Sequence, residues 1–259
     1  MQEETSSDSL FLFLLLGASN LARGYSMLTQ HLSKCQEKTE FLNALGPGRG
    51  FCARGGMFNF TYSPILASRV IESAEKKSKN AFFTAVLITD IGNDLMYGVS
   101  ADALIASLNA VIDRILGWNA NIFLTSIHVN LKKDVGPITF LLLRFLFYPG
   151  SKITFEEADL FVTKVNRYLE EKSWINERVH LITGMETFTG LDKIHFSVLK
   201  AHSAWSKVAN EIFKVIDFSP QKKLTFHLDL VKPKLLNGPM FGLQAINPNF
   251  VLCLTRLEC

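Results

Sequence analysis

Residues 10–16 (Leu-Phe-Leu-Phe-Leu-Leu-Leu) form an unbroken apolar run that stops at Gly17-Ala18-Ser19-Asn20. A strand with one wet face alternates apolar and polar side chains. A strand that is apolar at every position must be covered on both faces, which is the situation of a central strand in a parallel sheet. The pattern that follows agrees. Residues 21–33 carry Leu21, Tyr25, Leu28 and Leu32 at helical spacing. Strand-like runs at 40–45, 81–89, 121–127 and 178–182 alternate with helical patterns at 64–75, 101–116, 155–171 and 196–215. Strand–helix alternation predicts an α/β fold: three layers, α/β/α, with a central parallel sheet of about five strands.

In open sheets of this kind, ligands bind beyond the carboxyl ends of the strands. Ser19 follows the first strand, Asn93 the 81–89 strand, and His128 the 121–127 strand. Asp192 and His195 follow the 178–182 strand after a loop. The topology rule therefore places residues far apart in sequence on one edge.

Each of these residues has a chemical and a plain reading. A serine at a strand tip can be a nucleophile once a base takes its proton; equally, Ser19 or Asn20 can simply cap the next helix. The Asn93 amide can donate to a developing oxyanion, or Gly92-Asn93-Asp94 can be an ordinary turn. Gly55 or Gly56, at the end of a glycine-rich loop, can offer an unshielded N–H or only flexibility. His195 is suited to act as a general base, oriented by Asp192 three residues earlier; otherwise Asp192 caps a helix and His195 lies on its surface. His128 has no nearby sequence partner. His31, His180, His202 and His227 read as structural or exposed.

Taken in order, Gly17-Ala18-Ser19-Asn20, Gly55 or Gly56, Gly92-Asn93-Asp94 and the stretch from Asp192 to Ser197 resemble the four blocks of the SGNH (GDSL-like) esterase and lipase family. The likeness covers about residues 10–215. It implies a flavodoxin-like SGNH fold and a serine esterase without cofactor or metal. Ser19 would be the nucleophile, His195 the base and Asp192 its orienting carboxylate. The backbone of Ser19, Gly55 or Gly56 and the side chain of Asn93 would form the oxyanion hole. Ala18 stands where the family's first block has Asp, and Ile91 where its third block has Gly, so a divergent member is implied. A catalytically silent binding protein of the same fold and an acyltransferase remain the alternatives.

Composition narrows the partners. The net charge is +3, and no dense Lys/Arg block is present, which argues against nucleic acid. No stretch approaches the ~18 apolar residues of a membrane span. The four cysteines lack C-x-x-C spacing, so free thiols and a cytoplasmic location are expected. The acidic Met1–Asp8 stretch lacks the basic start of a secretory signal, although the apolar run after it has the length of a signal core, so an atypical signal is the competing reading. The expected organisation is a tail at 1–9, an SGNH-like domain at 10–218 and an extension at 219–259. The apolar segment 138–148 reads as a helix on the core, a lid over an acyl pocket, or a membrane-surface contact. The expected partner is a small-molecule or lipid-like ester.

Overall fold

The computed structural model describes residues 10–36, 38–57 and 60–216. The predicted tail at 1–9, the extension at 219–259, His227, Cys253 and Cys259 lie outside the described residues.

Five strands form one parallel sheet in the order β2-β1-β3-β4-β5. They are β1 (Phe11–Leu16), β2 (Thr39–Ala44), β3 (Phe83–Ile88), β4 (Asn121–Thr125) and β5 (Val179–Ile182). Every residue of β1 is buried, as its unbroken apolar run requires. Leu14 and Leu16 point to one side, into a core shared with Val86, Ile88, Ile122 and Leu124. That side is covered by α2 (Val70–Ser78), α4 (Ala101–Leu116), α5 (Gly136–Phe147) and α6 (Phe155–Ile175). Phe13, Leu15, Leu87 and Phe123 alternate to the opposite side and are equally buried. There α1 (Ser19–Leu32) and α7 (Ala201–Ile216) pack on one another. The result is the predicted three-layer α/β/α sandwich.

The α1–α7 contact is close enough to require glycine. A Cβ on Gly24 would stand 1.6 Å from Trp205 Nε1. Trp205 is almost fully buried, and its ring lies 5.7 Å from that of Phe196, beside the residues that matter below. This helix pair therefore fixes one wall of the cleft.

Two predicted helices are shorter than expected. Residues 64–75 split into a 3-10 turn (Ile65–Ala67) and α2, with Ser68 extended between them. The Ile65 and Leu66 N–H groups donate to the Gly50 and Phe51 carbonyls and tie that turn to the preceding loop. Residues 196–200 precede α7 rather than joining it, because Phe196 pairs with Thr189 in an antiparallel bridge. A short helix, α3 (Asn93–Met96), occupies the segment read as a turn.

Gly24→Ala tests the α1–α7 contact. Helix propensity alone would favour alanine by about 1 kcal/mol. Overlap with the Trp205 ring outweighs that gain, and a net loss of about 1–3 kcal/mol is expected in urea unfolding.

Candidate active site

Because all five strands are parallel, the loops after β1, β3, β4 and β5 meet at one edge. Ser19, Asn93, His128 and His195 line a single cleft there.

Asp192 and His195 sit in a tight loop. Thr189 and Phe196 form an antiparallel bridge across it, and Gly190 N–H donates to the His195 carbonyl. Lys193 takes the left-handed conformation at φ 59°. Asp192 Oδ1 accepts from the N–H groups of Ile194 and His195 at 3.0 and 2.9 Å. Its Oδ2 lies 2.7 Å from His195 Nδ1. Burial alone would raise this carboxyl, but the His195 ring and the two N–H groups more than offset it and hold it at about 2. Asp192 is therefore a carboxylate at neutral pH, which favours the tautomer with the proton on Nδ1 and leaves Nε2 as an acceptor. His195 Nε2 stands 3.0 Å from Ser19 Oγ.

Neither Ser19 nor Asn20 caps α1. The N-cap position is Ala18, whose side chain makes no capping bond, and Ser19 and Asn20 occupy the first two helical positions. The cap comes from elsewhere. Asp90 Oδ2 accepts from Ala18 N–H at 3.0 Å and from Leu21 N–H at 2.9 Å. One carboxylate at the end of β3 thus makes both bonds of a capping box. The Ser19 N–H, which a helix leaves without an internal partner, has none among the described residues and borders the cleft.

Asn20 has another task. Its Nδ2 donates to the Ile194 carbonyl at 3.2 Å, and its Oδ1 accepts from Phe196 N–H at 2.9 Å. It holds the His195 peptide from both sides. His128 adds a third tie, since its Nε2 lies 2.9 Å from the Ile194 carbonyl and its ring packs on Phe196. His128 thus steadies the loop and is not hydrogen-bonded to Ser19.

Asn93 enters the cleft after Gly92, whose φ of 140° suits glycine. Its Nδ2 donates one hydrogen to the Arg49 carbonyl at 3.1 Å. Its Oδ1 accepts from the Tyr148 hydroxyl at 2.9 Å. Burial pushes the Tyr148 phenol far above its usual range, so it stays a donor. The two bonds fix which end of the amide is nitrogen and leave its second hydrogen uncommitted. The next residue, Asp94, is fully buried and accepts from the N–H groups of Phe51, Cys52 and Ala53 at 2.6–2.8 Å.

Gly55 and Gly56 are not brought to Ser19 as donors. Gly55 N–H donates to the Tyr62 carbonyl, and Gly56 N–H to the Tyr97 hydroxyl at 3.0 Å. A Cβ on Gly55 would stand 2.3 Å from the Tyr97 ring, and one on Gly56 1.9 Å from the Phe60 carbonyl oxygen. These glycines permit close packing. Sequence reasoning offered Asn20 only as a helix cap and passed over Asp90 and Tyr148. Asp90 adjoins the motif residues and was within reach; nothing local marks Tyr148.

The rest of the cleft is mostly apolar, with Ser126 and Arg144 also on its wall. Leu95, Ile127, Leu131, Phe140, Leu143 and Phe161 line a pocket running inward beneath α5.

No protein-family model matches the chain, and no curated protein sequence matches it. Solved structures do. TesA aligns with a TM-score of 0.50 at 15% identity, covering 79% of this chain and 99% of TesA. The fold is that of the SGNH hydrolases. The psychrotrophic esterase EstA from Pseudoalteromonas sp. gives a TM-score of 0.49 at 13% identity, covering 80% of this chain and 99% of its own. A member of the lipolytic protein G-D-S-L family from Veillonella parvula gives 0.46 at 13%, covering 81% and 100%. With Ala at position 18, the carboxylate at the first turn of α1 comes from Asp90, after β3.

Asp90→Ala would strip both N–H groups at the start of α1 of their acceptor. Each such loss costs about 1–3 kcal/mol when the group cannot reach water. A drop of that order in unfolding free energy is expected, whereas Asp90→Asn, which keeps an acceptor oxygen, should lose less than half as much.

Proposed function

We propose that the protein is a serine hydrolase that cleaves a carboxylic ester carrying an apolar acyl chain. The observation that carries this reading is the continuous chain from Ser19 Oγ to His195 Nε2 (3.0 Å) and from His195 Nδ1 to Asp192 Oδ2 (2.7 Å). His195 takes the Ser19 proton as Oγ bonds to the ester carbonyl carbon. The oxyanion is met by the Ser19 N–H, strengthened by its place at a helix start, and by the uncommitted hydrogen of Asn93 Nδ2. The carbon–oxygen bond to the alcohol then breaks, and His195 returns the proton to the leaving oxygen. Water, deprotonated by the same imidazole, releases the acid and regenerates Ser19. Asp192 stabilises the imidazolium at each stage.

The substrate class is read from the pocket beneath α5, whose wall is largely aliphatic and aromatic. An acyl chain gains from burial there in proportion to its length, and an acetyl group would leave the pocket unfilled. A cytoplasmic location belongs to the same proposal, supported by the free thiols of Cys35 and Cys52.

A fluorophosphonate probe should label the wild type at Ser19 and leave Ser19→Ala unlabelled. Turnover of p-nitrophenyl esters by Ser19→Ala should fall by at least ~10³-fold. Wild-type turnover should also rise from acetyl towards medium-chain esters. Equal turnover by Ser19→Ala would overturn Ser19 as the nucleophile, and no labelling and no turnover of the wild type would leave an SGNH-fold binding protein instead.

Tyr148→Phe separates orientation from contact. The hydroxyl touches no substrate atom in this scheme and acts only by fixing the Asn93 amide. A fall in kcat of about 10-fold with KM little changed is expected, against ~10²–10³-fold for Asn93→Ala.

A further inference from the structure

Arg144 is the only charged residue in α5. Helical spacing sets it on the inner stripe, four residues after Phe140 and three before Phe147, and it lines the cleft with both. It is half-buried. A cation drawn part-way out of water onto an apolar wall needs acceptors. The chain supplies one: Nη1 donates to the Ile153 carbonyl at 2.5 Å. Among the described residues Arg144 makes no ion pair and no second hydrogen bond. The carboxylates nearest the reacting groups are engaged elsewhere. Asp90 accepts from the Ala18 and Leu21 N–H groups, and Asp192 is paired with His195.

A guanidinium holds its N–H donors in one rigid plane. The bond from Nη1 leaves the hydrogens of Nε and Nη2, the edge that meets a carboxylate with two parallel bonds. Tying the Ile153 carbonyl to the last turn of α5 takes one donor and leaves this edge over. Its place relative to the reacting atoms is also defined. The Phe147 ring lies 6.4 Å from that of His195. Arg144 stands about 4.5 Å further along the helix axis, towards Phe140.

We infer that Arg144 is a specificity-determining residue that receives a carboxylate on the acyl chain, so that the preferred substrate is a half-ester of a dicarboxylic acid. The inference rests on the serine-hydrolase reading of the cleft and narrows its substrate. The ester carbonyl is held between Ser19 and His195. The methylenes that follow lie against the apolar wall beneath α5, and the terminal carboxylate meets the guanidinium. A methyl-ended chain of the same length fills the same wall but leaves the Nε–Nη2 edge without its anion.

Two ester series test this. One is p-nitrophenyl hexanoate, octanoate and decanoate. The other is the mono-p-nitrophenyl esters of adipate, suberate and sebacate, which match the first in carbon number but end in a carboxylate. Full-length Ser19→Ala is titrated with both by calorimetry, which reads binding whether or not the protein is a hydrolase. For at least one chain length the half-ester should bind on the order of 10- to 100-fold more tightly than its methyl-ended match. The wild type should show a ratio of the same order in kcat/KM. Arg144→Met, which keeps the length of the stem, should bring both ratios to one or below. Arg144→Lys, which keeps the charge and loses the fork, should give an intermediate value. The ratio separates recognition from a structural role, because a slackened loop at Ile153 would lower both series together. The inference is overturned if Ser19→Ala binds no half-ester more tightly than its match. It is equally overturned if Arg144→Met, melting as the wild type does, keeps the wild-type ratio; should that variant not fold, an unchanged ratio in Arg144→Lys overturns it. Preferential binding of the half-esters with no turnover by the wild type would sink the hydrolase reading and leave the carboxylate site in place.

Discussion

The carboxamide of Asn20 holds the site together. Its nitrogen binds the Ile194 carbonyl and its oxygen binds the Phe196 N–H, so the peptide carrying His195 is gripped on both sides. Asn20 is the immediate neighbour of Ser19 on the first turn of α1, and a helix fixes the relative direction of adjacent side chains. The 3.0 Å between Ser19 Oγ and His195 Nε2 then follows from local geometry, although 176 residues separate the two in sequence. A buried amide satisfied at both ends also resists reorientation, since turning it would leave two backbone groups unpaired.

The grip needs a rigid partner, and α1 is made rigid by Asp90. An α-helix that begins at Ala-Ser-Asn has no side chain at the cap to close its first turn. The Asp90 carboxylate supplies both missing acceptors, although it must take a left-handed backbone (φ 58°) to do so. That conformation costs on the order of 1 kcal/mol for a residue other than glycine. Two charge-assisted bonds to N–H groups outweigh it. The turn that begins at Ala18 thus has its carboxylate supplied from the loop after β3, the strand adjacent to β1.

This shows what could be read in advance. The layer architecture, the parallel sheet and the edge on which the loops meet were legible because they depend on periodicity and on burial of whole strands. Leu10 to Leu16 leaves little choice. The spacing of Asp192 and His195 was legible because a three-residue interval suffices for a carboxylate to reach a ring nitrogen. The extents of the helices at 64–75 and 196–215 were not, because Ile65, Leu66 and Phe196 are tied to Gly50, Phe51 and Thr189, outside each segment. No local pattern reports such ties. The second-block glycine fails for a related reason. Gly55 and Gly56 look like open backbone in sequence, yet Tyr97 and Tyr62, from outside that loop's glycine run, consume their donors.

Tyr148 joins these local facts to the pocket. It closes α5, donates to Asn93 and packs edge-on against Tyr97, whose hydroxyl in turn binds Gly48 and Gly56. The orientation of the Asn93 amide is therefore coupled to the position of α5. If α5 shifted outward, the Tyr148 hydroxyl would leave Asn93 Oδ1, and the amide would keep only its bond to the Arg49 carbonyl.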